Sequence, residues 1–209
     1  MNKKFDFSLF LKTYLFVIIG ILLGILILFV FVSYPYIYNF FIGEKVVETH
    51  ILEVLGETTG IHETALALMN WHQENVKYPL IDNKKYLLLA SNGFYEVDNK
   101  TRLFLRSNSA SWVIKTKLAR CGESAYYFVD IMNKLGYRAR IVHTEPISWD
   151  HVWAEYYDEN GNKIVIDPSA NKVITNKREW VEGKNISKII AKDMDGNKED
   201  ITLEYVGGI

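Results

Sequence analysis

The chain has one cysteine in 209 residues. That excludes an intramolecular disulfide framework and any multi-cysteine zinc or iron–sulfur site. It also lacks an excess of either charge, with 24 basic and 25 acidic residues and a formal net charge of -1. A general nucleic-acid binder needs a basic surplus to neutralise phosphates, so no nucleic-acid partner is expected. No internal repeat or low-complexity stretch is visible. Disorder is excluded as well, because hydrophobic residues make up 49% of the chain. The mean hydropathy of -0.02 is high for so charged a sequence. It signals one very apolar segment beside an ordinary charged domain.

That segment runs from Thr13 to Gly43, 31 residues without a charge. Its most apolar part, Tyr14 to Val32, would rise about 28 Å as a helix, close to the roughly 30 Å hydrocarbon core of a bilayer. Tyr34, Tyr36 and Tyr38 around Pro35 read as an interfacial aromatic belt. A cleavable signal peptide has a shorter apolar region ending in small residues, whereas this run is long and is followed by Tyr, Pro and Phe. A retained single-pass anchor is therefore expected. Lys3, Lys4 and Lys12 precede it and Glu44 and Lys45 follow it, so the positive-inside rule puts the N-terminus in the cytoplasm and the domain outside. The expected organisation is a cytoplasmic N-terminus over 1–12, an anchor and interfacial segment over 13–43, a stalk helix and linker over 44–60, and a domain over 61–209. Gly20 and Gly24 permit close helix packing, but small residues are common in membrane helices.

Within the domain, Ala65, Leu68, Met69 and His72 recur at helical spacing, and Tyr78-Pro79 ends that helix. Leu80 to Ser111 reads as loops with one or two short elements. Ala125, Phe128, Val129 and Met132 form the apolar stripe of a second helix, stopped at Leu135-Gly136. Three strand-like runs follow: Arg138–His143, His151–Tyr157 and Lys163–Asp167. Asp158-Glu159-Asn160-Gly161 is a hairpin signal between the last two. A short helix near Lys177–Glu182 comes next. Ile186–Ala191 and Asp200–Val206 read as a closing strand pair around Asp195-Gly196. Helices followed by an antiparallel sheet make an α+β domain.

Cys121 sits at the predicted N-terminus of the second helix. Unpaired N–H groups and the helix dipole there favour the thiolate, the reactive form of the side chain. His151 and Asp167 follow on hairpin-linked strands. An imidazole beside a thiol can form an ion pair with it and protonate a leaving group, and a carboxylate behind the imidazole fixes its orientation. If Glu159-Asn160-Gly161 forms a three-residue loop, Asp167 faces Trp153, one step along the face from His151. A two-residue loop would instead pair Asp167 with Ala154. Taken singly, each residue also fits a plain structural role: an inert core cysteine, a hydrogen-bonded strand histidine, an aspartate ending a strand. No metal ligand set is expected; His62-Glu63 lacks the second histidine of a zinc-protease helix.

Arg120-Cys121-Gly122-Glu123-x-Ala125, Leu135-Gly136-x-x-Ala139-Arg140-x-Val142, Asp150-His151-Val152-Trp153-x-Glu155 and Asp167-Pro168 resemble the transglutaminase-like superfamily. The nearest look is the peptide:N-glycanase core. Leu68-Met69-x-Trp71 upstream and the stretches Gly183–Ala191 and Asp200–Tyr205 downstream resemble the same core. The resemblance implies a papain-like fold and chemistry on amide carbonyls, with Cys121 as nucleophile, His151 as base and Asp167 as orienting group. It also implies an oxyanion hole built from the Cys121 backbone N–H and a tryptophan indole, for which Trp71 and then Trp112 are the candidates. The paired cysteines of the glycanase zinc site are missing, and no cofactor is implied. The expected function is a membrane-anchored cysteine hydrolase of a peptide, isopeptide or glycopeptide amide through a Cys thioester. The alternatives are an acyl transferase using the same three residues and a non-catalytic binding or scaffold module.

Overall fold

A computed structural model describes residues 7–56, 58, 60–89 and 91–207. Helix α1 spans Phe7–Tyr38, continues through a π-type turn at Asn39–Gly43 and runs on as α2, Glu44–Leu55. One helix among the described residues is long and apolar enough to cross a membrane; its apolar window lies wholly outside the protein core.

The junction with the domain is close-packed. Tyr34 and Tyr38 meet Trp112 edge-on at 5.6 and 5.7 Å between ring centroids. Lys115 Nζ lies 3.7 Å above the Tyr38 ring and donates to the Tyr34 hydroxyl at 2.8 Å. Asn39 Oδ1 accepts from Ser109 and Ser111. Gly43 is needed there: a Cβ would meet Asn39 Oδ1 and lie 3.0 Å from Ser111 Oγ. Helix α2 then buries Val47, His50 and Leu55 in the main core. The segment expected as a stalk leading away from the membrane is thus a packed helix, because its Val47–Ile51–Leu55 spacing gives it a face to bury.

Helix α3, Ile61–Asn75, buries the expected Ala65, Leu68, Met69 and His72. The stretch expected to be mostly loop is a three-stranded antiparallel sheet, β1 (Lys84–Leu89), β2 (Asn92–Val97) and β3 (Lys100–Phe104), in that order. Asp98 and Asn99 both take positive φ in the two-residue turn between β2 and β3, the geometry that matches strand twist. Tyr95, Val97 and Phe104 form its small core with Leu118.

Helices α4 (Ala110–Thr116) and α5 (Cys121–Lys134) follow. The second sheet contains β4 (Ala139–Pro146), β5 (Val152–Tyr157), β6 (Lys163–Asp167), β7 (Lys172–Ile174), β8 (Ile186–Lys192) and β9 (Lys198–Asp200). Their spatial order is β7-β6-β5-β4-β8-β9, antiparallel throughout. Helix α5 lies across β4 and β5. Its Ala125, Phe128, Val129 and Met132 are fully buried, each of the larger three worth about 1.5–3 kcal/mol of transfer free energy. This is the α+β architecture the periodicities imply. Short helices α6 (Lys177–Val181) and α7 (Thr202–Val206) complete it.

The expected strand over Asp200–Val206 is a correction. Only Lys198–Asp200 pairs with β8. Asp200 Oδ1 then accepts from the Thr202 backbone and hydroxyl, turning the chain into α7, whose Tyr205 is buried. Local side-chain bonding of this kind competes with the strand ladder.

Candidate active site

Backbone register brings the predicted residues together. Asp158 and Asn162 close a loop of Glu159, Asn160 and Gly161, with Gly161 at φ 78°. Ala154 therefore pairs with Ile166, and one step further Trp153 stands opposite Asp167. This is the three-residue loop of the two alternatives. His151 immediately precedes β5, held by its N–H to Thr144 Oγ1 at 3.1 Å and its carbonyl to the Thr144 N–H.

Asp167 is fully buried. Its Oδ2 lies 2.6 Å from His151 Nε2. Its Oδ1 accepts from the Ser169 backbone and hydroxyl and from the Ala170 N–H. Cys121 lies near enough to the same imidazole to act on it. Burial alone would push the imidazole down, but the hydrogen bonds and charges of Asp167 and Cys121 overcome it and raise His151 to about 9. Trp149 stacks on the imidazole at 5.0 Å and 28°, and Trp180 stands edge-on to Trp149 at 6.0 Å.

Cys121 is free, partly exposed and the first residue of α5. Glu123 caps this end: it is buried, and its Oε2 accepts from the Arg120 N–H at 3.2 Å. Its Oε1 accepts from Arg106 Nε at 2.7 Å, which brings the Arg106 charge to bear on Cys121. Arg120 donates through Nε to the Pro79 carbonyl at 3.1 Å and lies over the rings of Tyr95 and Phe104. It ties the three-stranded sheet to the start of α5.

Behind His151, Glu155 is fully buried. It joins Arg140, Lys177 and the Tyr205 hydroxyl, and that hydroxyl also accepts from the Trp153 indole at 2.9 Å. This network holds β4, β5, α6 and α7 in one arrangement.

The tryptophan candidates are placed elsewhere. Trp112 donates its indole N–H to the Leu105 carbonyl at 2.7 Å; a buried indole takes the nearest carbonyl, and this one is spent on the α4 junction. Trp71 packs between His50 at 4.3 Å and Tyr127 at 5.4 Å. The contacts described for these two rings do not include Cys121, His151 or Asp167. Sequence reasoning missed instead Tyr78, Arg106 and Trp149. In the sequence Tyr78 stands out only as the residue before a proline. Burial, then the neighbouring Cys121, push its hydroxyl up to about 12. His72 occupies the core position its helical spacing implies; its Nε2 has no partner, and burial lowers it to about 4 although the Asp167 charge pulls the other way. Among the described residues no three His, Cys, Asp or Glu side chains gather as metal ligands.

A thiol at a helix N-terminus, an imidazole and a buried carboxylate on an antiparallel sheet define a class of papain-like folds. Residues 50–168 match the family model of the transglutaminase-like superfamily core, and the chain belongs to that superfamily. A peptide-N(4)-(N-acetyl-beta-glucosaminyl)asparagine amidase of Drosophila melanogaster is 36% identical over 105 residues, covering 49% of this chain and 16% of that protein. The protein of the same name from Yarrowia lipolytica is 30% identical over 105 residues, 49% of this chain and 28% of that one. The chain thus spans under a third of the length of either relative. A solved structure of the Rad4/XPC nucleotide excision repair complex aligns at 12% identity and a TM-score of 0.45, over 69% of this chain and 37% of that chain.

Proposed function

We propose that the chain is a membrane-anchored cysteine hydrolase that cleaves an amide of a peptide, isopeptide or glycopeptide through a thioester at Cys121. The observation that carries this reading is the His151–Asp167 contact at 2.6 Å, with Cys121 acting on the same imidazole. The Cys121 thiolate attacks the carbonyl carbon, forming a C–S bond and an oxyanion that accepts from the Cys121 backbone N–H. His151 gives its proton to the leaving nitrogen as the C–N bond breaks. It then takes a proton from water, whose oxygen attacks the thioester; the C–S bond breaks and the thiolate is restored. General acid–base help of this kind is worth about 10²–10⁴-fold. Asp167, held by Ser169 and Ala170, fixes the ring. The identity with the two amidases supports a glycopeptide among the candidate substrates.

Helix α1 is the anchor in this reading, and Lys3, Lys4 and Lys12, all N-terminal to its apolar run, favour a cytoplasmic N-terminus with the domain outside. The close fit of Tyr34, Tyr38 and Asn39 to α4 then holds the domain at the bilayer surface. The test uses the full chain in detergent micelles with peptide and glycopeptide amides. Mass spectrometry is expected to find a hydroxylamine-labile acyl group on Cys121 and to find none in Cys121→Ala. Turnover that survives Cys121→Ala contradicts the reading. Incorporation of an added amine in place of water would assign the same residues to acyl transfer.

A further inference from the structure

Strand β1 is an edge of the three-stranded sheet, bonded to β2 alone. Edge strands of soluble domains are blunted by charge, proline or a covering element, because an open apolar edge invites pairing with other chains. Lys84 and Lys85 stand at the start of this one, but Tyr86, Leu87 and Leu88 follow one another in the open, Tyr86 at 71% exposure. Adjoining exposed apolar side chains of this kind mark a contact surface.

The fold carries that strand to the end of the apolar helix. Asn39 Oδ1 accepts from Ser109 and Ser111 at 2.6 and 2.8 Å, so the start of α4 stands level with residue 39. Beside Asn39, Phe40 and Phe41 are 82% and 76% exposed, and the first charge past the apolar run is Glu44. In a membrane-anchored chain these two rings belong to the aromatic belt of the interface, and α4 reaches the same depth. Trp112 of α4 donates to the Leu105 carbonyl at 2.7 Å, just past β3. The Arg106 N–H donates to Asn92 Oδ1 at 2.6 Å, which holds the start of β2 there too. Phe104 pairs with Gly93, and Gly93 with Leu87. At about 4.8 Å between strands, Leu87 lies about 10 Å from Phe104. The stretch from Leu80 to Leu118, which contains the sheet and α4, carries seven Lys and Arg against three Asp and Glu, a balance that suits anionic headgroups.

We propose that Tyr86, Leu87 and Leu88 are a second membrane contact, resting in the headgroup boundary of an anionic bilayer. The inference rests on the anchor part of the reading above. The free N–H groups of an edge strand need water or lipid oxygens, which that boundary supplies and the hydrocarbon core does not. Arg120, next to Cys121, lies over the Tyr95 and Phe104 rings at 5.0 and 5.4 Å. A sheet held on lipid therefore also fixes how the start of α5 faces the bilayer.

The test uses the full chain in vesicles of phosphatidylcholine with phosphatidylglycerol as the minor lipid. Cys121→Ala removes the native thiol, and bimane is attached after Leu87→Cys, Leu203→Cys or Leu23→Cys, one at a time. Leu203 is exposed on α7, whose Tyr205 packs with Trp153 on the face of the six-stranded sheet opposite Ala154, Tyr156 and α5. Leu23 lies within the apolar run. Bimane at 87 is expected to be quenched by a lipid whose nitroxide sits near the headgroup, and to be at least about threefold less sensitive to aqueous iodide than bimane at 203. Bimane at 203 is expected to respond to iodide alone. Equal iodide quenching at 87 and 203 overturns the inference. Protection at 87 without lipid quenching also overturns it, and assigns the edge to a second copy or another protein. Lipid quenching at 203 as strong as at 87 overturns it too, since the domain then meets lipid without regard to β1. Bimane at 23 reports on the anchor separately. If nitroxide lipid fails to quench it, the anchor reading fails and takes this inference with it. If it is quenched and bimane at 87 is not, only the β1 contact falls.

Discussion

His151 and Asp167 meet at 2.6 Å because a three-residue loop sets the β5–β6 register. Asp167 has its second oxygen filled by Ser169 and Ala170, so it cannot swing away without breaking three hydrogen bonds. Asp167→Asn keeps the shape and removes the charge. Cys121 acylation by 4-nitrophenyl acetate at pH 7 is expected to fall by about 10²–10⁴-fold in this variant, the range general acid–base catalysis spans. Stopped-flow absorbance of nitrophenolate measures it.

The raised His151 value makes stability depend on pH. The folded imidazole titrates near 9 and the unfolded one near 6.5. The folded state therefore holds the proton more tightly, and the stabilisation is full below about 6.5 and lost as pH rises through about 9. Melting temperatures of parent and His151→Ala, measured from pH 6 to 10, should converge as pH rises. A constant difference across that range would contradict the ion pair.

Glu155 is buried between Arg140, Lys177 and Tyr205. Glu155→Ala leaves the Arg140 guanidinium, only 11% exposed, without its buried partner. Denaturant unfolding should show a loss of about 3–5 kcal/mol. A loss under about 1 kcal/mol would mean that water replaces the carboxylate.

Trp112 joins α4 to the end of α1 through Tyr34 and Tyr38. Trp112→Ala should cost about 3–5 kcal/mol and raise protease sensitivity near Asn39–Gly43, read by limited proteolysis of the full chain in micelles. An unchanged cleavage pattern would show that the domain and the apolar helix are not coupled there.

Orientation is tested on intact cells. External protease is expected to digest the domain after residue 43, following the positive-inside argument from Lys3, Lys4 and Lys12. Full protection contradicts it.

Much of this site was legible in the sequence because its parts lie on strongly patterned elements. The stripe through Ala125, Phe128 and Met132 fixed α5, and with it Cys121 at the helix start. Turn residues at 158–161 left only the register open, and Gly161 at positive φ decided it. The β1–β3 sheet was missed although Asp98-Asn99 is a hairpin signal; the one clean alternation, Gly93, Tyr95 and Val97, is short and begins with a glycine. Asp200–Val206 misled because Thr202 bonds locally to Asp200. Tyr78 was invisible as a site residue, since its place depends on a parallel bridge between Lys77 and Leu118, forty-one positions apart. Trp71 and Trp112 drew attention as indoles, but sequence carries no sign of which carbonyl or ring each will meet.

The most direct measurement is the rate of Cys121 alkylation by iodoacetamide at pH 7 in the full chain, followed by intact mass, in parent and His151→Ala. An imidazolium held beside the sulfur predicts a parent rate well above that of a free thiol, and about a tenfold or greater drop in the variant. Equal rates in the two proteins, at the level of an ordinary thiol, would contradict the account.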